Sequence, residues 1–205
     1  MPLPRFGGLD PAKRRHLMDV AITLFSEKGY EGASLNEILA KAGFGKSSYY
    51  YYFADKEDLF VTVIEDFMER VMADVPQLSL EGLDGGNFWP RLEAVLAAVA
   101  AGAARYPDMI AMARDIQALW RNPTPRLRPV IEKVVAQQRA YLEIGQALGT
   151  VRTDIDVAWL LAITAAADQA VDERLLSHGR PSTDEMREHA RFVVDTFRRL
   201  VEPRR

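Results

Sequence analysis

Apolar residues recur at intervals of three and four along almost the whole chain, and no stretch alternates with period two for long enough to build a sheet. That spacing predicts an all-α protein of about nine helices. The first begins at Pro11 with Asp10 as its cap, turns Leu17, Val20, Ala21, Leu24 and Phe25 inward, and stops at Gly29. Ser34 opens a second, where Ser34 and Glu37 have the spacing of a reciprocal cap, and Gly43 ends it. A third short helix runs from Lys46 to Phe53, and Asp55 caps a longer fourth that ends at Pro76. After a glycine-bearing loop come helices over 88–105, 107–120, 125–148, 156–178 and 182–201. Residues 1–10, rich in proline and glycine, read as a disordered arm.

Composition closes off several function classes. At 205 residues and 48% hydrophobic the chain can bury a core. The absence of cysteine removes disulfides, thiolate metal sites and cysteine nucleophiles, and His16, His178 and His189 lack ligand spacing with one another. No nucleophile elbow, zinc-protease pattern or phosphate loop occurs, so the expectation is a non-enzyme with no metal and no cofactor. The strongest apolar runs, 94–104 and 157–167, are 11 residues each, whereas a membrane span takes about 20. With no apolar leader segment near the start, the expected location is the cytoplasm, associated with the nucleoid and without a membrane partner. Residues 1–56 carry a net charge of +2 and the remaining 149 a net of −5, so the anion-facing part is N-terminal.

Helices as short as the second and third are marginal alone and must pack on their neighbours. A helix, the turn Gly43-Phe44-Gly45-Lys46 and another short helix make a helix-turn-helix, whose second helix can enter a DNA major groove. At about 100° per residue, Phe53 falls about 40° from Tyr49, so this pair shares the buried face. Tyr50 and Tyr51 fall about 100° and 200° away and must point outward, with Tyr52 on the flank. Tyrosine hydroxyls can donate to phosphate oxygens, and the rings can pack on sugars or a thymine methyl. Lys46 adds charge at the positive end of the helix.

The run from Ala42 through Gly43, Phe44, Gly45, Lys46, Ser47, Ser48 and the four tyrosines to Phe53-Ala54-Asp55-Lys56-Glu57-Asp58-Leu59 resembles the hallmark of TetR-like one-component transcriptional regulators. Ala21–Tyr30 and Ser34-Leu35 precede it at the matching spacing, and the likeness spans about residues 13–65. The resemblance implies a helix-turn-helix DNA-binding domain over 11–55 and a helical effector-binding and dimerisation domain over 56–205. It implies that Ser34 and Lys56 touch phosphates, that Lys46 and Ser47 read bases with Ser48 beside them, and that Tyr50 reaches the backbone or a base edge. Tyr51 and Tyr52 stand where the family commonly carries His, Tyr or Trp. Gly45 replaces the family's usual serine cap.

In the body, Phe67, Met68, Trp89, Met109, Met112, Trp120, Tyr141 and also Trp159 are bulky residues that fill an ordinary core or wall a ligand cavity, with Asp168 as a polar anchor. The resemblance favours an effector pocket. On the last helix Met186, Ala190, Val193, Phe197 and Leu200 form a seam spaced 4, 3, 4 and 3, and Ala162 and Ala166 on the preceding helix permit close approach. That seam suits an intramolecular core or, as the resemblance implies, a homodimer interface. The function it implies is a repressor that binds double-stranded DNA at a palindromic operator as a homodimer and is released by a small-molecule effector. The alternative is a helical ligand-binding or adaptor protein whose DNA reader is vestigial.

Overall fold

The computed structural model describes residues 4–73, 75, 80–121, 123–177 and 181–203, with the side chains of Pro4, Arg5, Ser47, Ser48, Ser177 and Thr183 outside that description. Those residues form ten α-helices and one 3-10 turn, with no strand among them. The chain divides into two compact units, residues 1–70 with 106–129 and residues 71–105 with 130–205.

In the first unit, α1 spans Pro11–Gly32 and is capped by the Asp10 carboxylate, which accepts from the amides of Ala12 and Lys13 at 3.1 and 3.0 Å. Gly29 breaks it with φ of +71°, a conformation open to glycine, and the chain turns there toward α2, Leu35–Ala42. Gly43, again left-handed, closes α2, and α3 follows over Lys46–Tyr52. The fourth helix, α4, covers Lys56–Ala73. Its Phe60 meets Phe25 edge-on at 4.8 Å and Tyr30 at the same distance, so the core of this unit is aromatic at its centre.

Residues 4–8 depart from the expected disordered arm. They form a 3-10 turn whose Phe6, 6% exposed, packs on Phe53 at 4.7 Å and Tyr52 at 6.3 Å, because the end of α3 leaves an aromatic surface that one more ring covers. The second difference is at Ser34. Its expected reciprocal cap is absent, since Glu37 pairs instead with Lys28 at 2.6 Å and Lys41 at 3.4 Å, leaving the Ser34 hydroxyl without a cap hydrogen bond.

The second unit holds α5 over Phe88–Ala103. The expected helix over 107–120, which lies in the first unit, is two: α6, Pro107–Ala111, and α7, Ala113–Arg121, separated at Met112. The helix expected from Pro125 starts later, as α8 over Arg128–Ala147, because Thr124 first closes a turn. The Thr124 hydroxyl accepts from the Leu127 amide at 3.3 Å and its carbonyl from the Arg128 amide at 3.1 Å. Then come α9, Val157–Ser177, and α10, Thr183–Val201. Ser182 and Glu185 cap α10 reciprocally, the arrangement that Ser34 and Glu37 lack. In this unit α10 packs along α5 and α9, and Phe88, Trp89, Leu92, Leu142, Leu160, Leu161, Val194 and Val201 make the core. Gly145 admits Val151, whose Cγ2 takes up the space a β-carbon would need.

Replacing Phe6 by Ala is expected to destabilise the first unit by about 3 kcal/mol in urea unfolding. An unchanged midpoint would mean that the turn over 4–8 does not support α3.

Candidate nucleic-acid interface

The site is built outward from Tyr49. Its ring is fully buried, lies 5.2 Å from the Phe53 ring, and its hydroxyl donates to the Asp55 carbonyl at 2.5 Å. Burial, with Asp55 and Asp58 nearby, pushes its phenol well above the ordinary range, so it remains a donor. With that face of α3 fixed, Tyr50 and Tyr51 must project, and they are 56% and 49% exposed. Tyr52 is half-buried beside Phe6, and Lys46 is exposed at the start of the helix. The four tyrosines therefore divide as the helical angles predict. Ser34 is exposed at the start of α2. The expectations for Ser47 and Ser48 fall on side chains outside the described ones.

Lys56 is placed differently from what the resemblance implies. Its ammonium donates to the carbonyls of Tyr30 (2.7 Å), Ala33 (3.2 Å) and Glu31 (3.3 Å) and lies 4.5 Å from the Tyr30 ring centroid. An ammonium has three protons, and the carbonyls at the end of α1 engage all three. Lys56 ties the start of α4 to the turn after α1.

Two anchors in this unit gave no signal in the sequence. Asp115 of α7 accepts from the Tyr30 amide at 2.7 Å, and Arg126 forms an ion pair with Asp55. Asp55 also accepts from the Asp58 amide at 2.9 Å, capping α4 as expected, while Asp58 accepts from Ala54 at 3.1 Å. Burial works against the Asp55 charge, but the Asp58 amide and the Arg126 guanidinium hold its carboxyl below the usual range.

The candidate effector residues are shared between the two units. In the first, Phe67 lies edge-on to Tyr106 at 5.7 Å, Met68 is half-buried, Met109 and Met112 are buried, and Trp120 is half-buried. In the second, Trp89 is buried and Tyr141 packs against the same core cluster. The indole nitrogens of Trp89 and Trp120 are buried without a hydrogen-bond partner among the described residues. Trp159 walls no cavity, being 69% exposed. Two open surface depressions, of about 450 Å³ at Pro11, Ala12, Arg15, His16 and Asp19 and about 380 Å³ at Gly149, 151–154 and Pro203, include none of the candidates.

The seam on α10 is corrected in part. Ala190 and Val193 are each 6% exposed and Met186 and Phe197 are half-buried, because this face packs within the chain; Leu200 alone is more open, at 38%. An exposed apolar face is made on α9 by Trp159, Ala162, Ile163 and Ala166, and Phe192 of α10 is exposed as well. Beside it, Asp168 of α9 stands near Asp172, whose Oδ1 lies 2.7 Å from His189 Nε2 of α10. Burial, then the Asp172 charge, pushes Asp168 up to about 6, with His189 opposing.

Among known families, the model for bacterial regulatory proteins of the tetR family matches residues 17–63. The chain is 41% identical over 68 residues to the HTH-type transcriptional regulator YdgC of Bacillus subtilis, a match covering 33% of this chain and 35% of YdgC. It is 27% identical over 142 residues to the HTH-type transcriptional repressor NicS of Pseudomonas putida, covering 69% of this chain and 67% of NicS. The chain thus spans about a third of the first relative and two thirds of the second. A TetR family regulator from Chloroflexus aurantiacus has the same fold, with a TM-score of 0.66 at 24% identity over 100% of both chains.

Asp168 gives a signed expectation. Its folded pKa is about 6 against an ordinary 3.8, so ionisation between those values costs stability that is intact below that window. Asp168→Asn should therefore melt higher than the parent at pH 8, with the gap shrinking as pH falls toward 4. Equal gaps at both pH values would contradict the assignment.

Proposed function

The chain is TetR-like in its N-terminal helix-turn-helix and in its fold, and from that premise we propose that it is a ligand-responsive transcriptional repressor that binds a palindromic operator as a homodimer and releases it when a small-molecule effector binds. The observation that carries this reading is α3 itself: a seven-residue helix, pinned from behind by Tyr49 and Phe53, that presents Tyr50 and Tyr51 to the outside. Rings and hydroxyls on the outer side of one short helix suit duplex DNA, which supplies phosphates for the hydroxyls and apolar edges for the rings. Lys46 and Ser34 complete the contact set with Tyr50 and Tyr51, Ser47 and Ser48 lie on the same short helix, and Tyr52 supports from the flank. Lys56 serves by holding α4 to the end of α1.

One such helix reads few base pairs, so specificity calls for two copies spaced about 34–36 Å apart on successive major grooves. The open face of α9 with Phe192 is the surface we assign to the partner copy, since aromatic side chains on a bed of alanines allow close, dry packing. Ala162 and Ala166 remain in this interface, while Ala190 and Val193 act beneath it. The effector acts by binding more tightly to the arrangement in which the two readers are out of register, and shifts the balance only by that difference in affinity. Within the first unit we assign Phe67, Met68, Met109, Met112 and Trp120 to effector binding, and within the second Trp89, Tyr141 and Asp168 are candidates of their own.

Selection of bound fragments from random duplex DNA is expected to return a two-fold symmetric consensus. Against that consensus, Lys46→Ala combined with Tyr50→Phe should weaken binding and make its dependence on salt shallower by about one unit of log–log slope. Indifference to both changes would leave the adaptor reading. Trp159→Glu with Phe192→Glu should sediment as a monomer and lose operator affinity; an unaltered dimer would move the interface elsewhere.

A further inference from the structure

Arg126 stands 71 residues away from its ion-pair partner in the sequence, in the turn that Thr124 closes ahead of α8. That partner, Asp55, is the joint between α3 and α4. The Asp55 carboxylate caps α4 through the Asp58 amide at 2.9 Å, and the Asp55 carbonyl receives the hydroxyl of Tyr49, the buried residue that orients α3, at 2.5 Å. A second hold comes from the same stretch of chain. Asp115 of α7 accepts from the Tyr30 amide at 2.7 Å, just past Gly29, whose left-handed backbone turns the end of α1. Leu127, fully buried, anchors the turn that carries Arg126.

We propose that Arg126 is a positioning residue for the reader: through Asp55 and Tyr49 it fixes the angle at which α3 is presented, and with Asp115 it makes the segment 106–129 a clasp on the three-helix domain. The guanidinium suits the task. It is planar, permanently charged, and shares a carboxylate that is already oriented by the α4 cap, so the pair loses little side-chain freedom on forming. The Arg126 side chain is about one-third exposed, which makes the clasp breakable without unfolding the core. A change in the segment 106–129 is thereby passed to α3 through the Arg126–Asp55 pair and to the end of α1 through Asp115. That the clasp serves DNA reading rests on the function proposed above; that it holds α3 does not.

The test uses the full chain. Asp55→Asn keeps the α4 cap, since asparagine caps as well as aspartate, and removes the charge that Arg126 meets. Arg126→Gln removes the other partner. Hydrogen exchange of the amides from Tyr50 to Phe53 is expected to quicken about tenfold in each variant, with α9 and α10 unchanged, and the double variant should be no worse than either single one. Against duplex selected from a random library by the parent protein, affinity should fall roughly 2- to 30-fold with an unchanged salt slope. Unaltered exchange in α3 in both variants overturns the proposal, as does additive behaviour of the two changes. A slope shallower by about one unit in Arg126→Gln alone would make Arg126 a phosphate ligand and also overturn it. If the parent binds no duplex, the functional reading fails while the exchange experiment still decides the clasp. Should Arg126→Gln fail to fold, Asp55→Asn and Arg126→Met carry the same comparison.

Discussion

The orientation of α3 depends on how one phenol is buried. Tyr49 sits behind the helix against Phe53 and sends its hydroxyl to the Asp55 carbonyl, so the helix is held at both its flat side and its C-terminal end. A helix of seven residues has too few internal hydrogen bonds to persist alone, and its direction is set by whatever grips it. Because Tyr49 grips from one side, the neighbouring Tyr50 and Tyr51 have no choice but to face outward. The aromatic ring of Phe6 seals the remaining edge, which gives a short N-terminal turn a structural role in holding α3.

Around that helix the charged groups work as fasteners. Lys56 gathers three carbonyls at the end of α1, Glu37 bridges Lys28 and Lys41, Asp115 takes an amide beside Gly29, and Asp55 links α3, α4 and Arg126. Exposed ion pairs contribute little stability, so their value here is geometric. Each ties the end of one helix to the end or turn of another. In the second unit the logic is different: α5 and α10 meet along an apolar face, and Gly145 lets Val151 close the core.

Much of the arrangement about α3 was legible from residue order. The angles about α3 separated Tyr49 and Phe53 from Tyr50 and Tyr51, Asp10, Gly43 and Asp55 marked helix ends where the structure has them, and Gly29, read as an end, is the break inside α1, because caps and left-handed glycines are local requirements. The failures came where a distant side chain competes. Ser34 with Glu37 and Ser182 with Glu185 have the same spacing, yet only the second pair closes, since Lys28 reaches Glu37 across the Gly29 turn. The α10 seam was a true apolar stripe, but periodicity cannot say whether a stripe faces its own chain or another. Trp159 is large and apolar, and nothing in its neighbours showed that it would stand 69% exposed.

Sequence by itself settled the helical class, the helix-turn-helix, and which tyrosines face out, because each follows from short-range periodicity and from capping within a few residues. Tertiary structure alone decided that Lys56 fastens α1, that Phe6 covers α3, and that Arg126 and Asp115 reach back 71 and 85 residues to Asp55 and Tyr30. The physical reason is that a hydrogen bond or ion pair depends on where two helix ends lie in space. Positions that far apart along the chain are brought together only by the packing of everything between them.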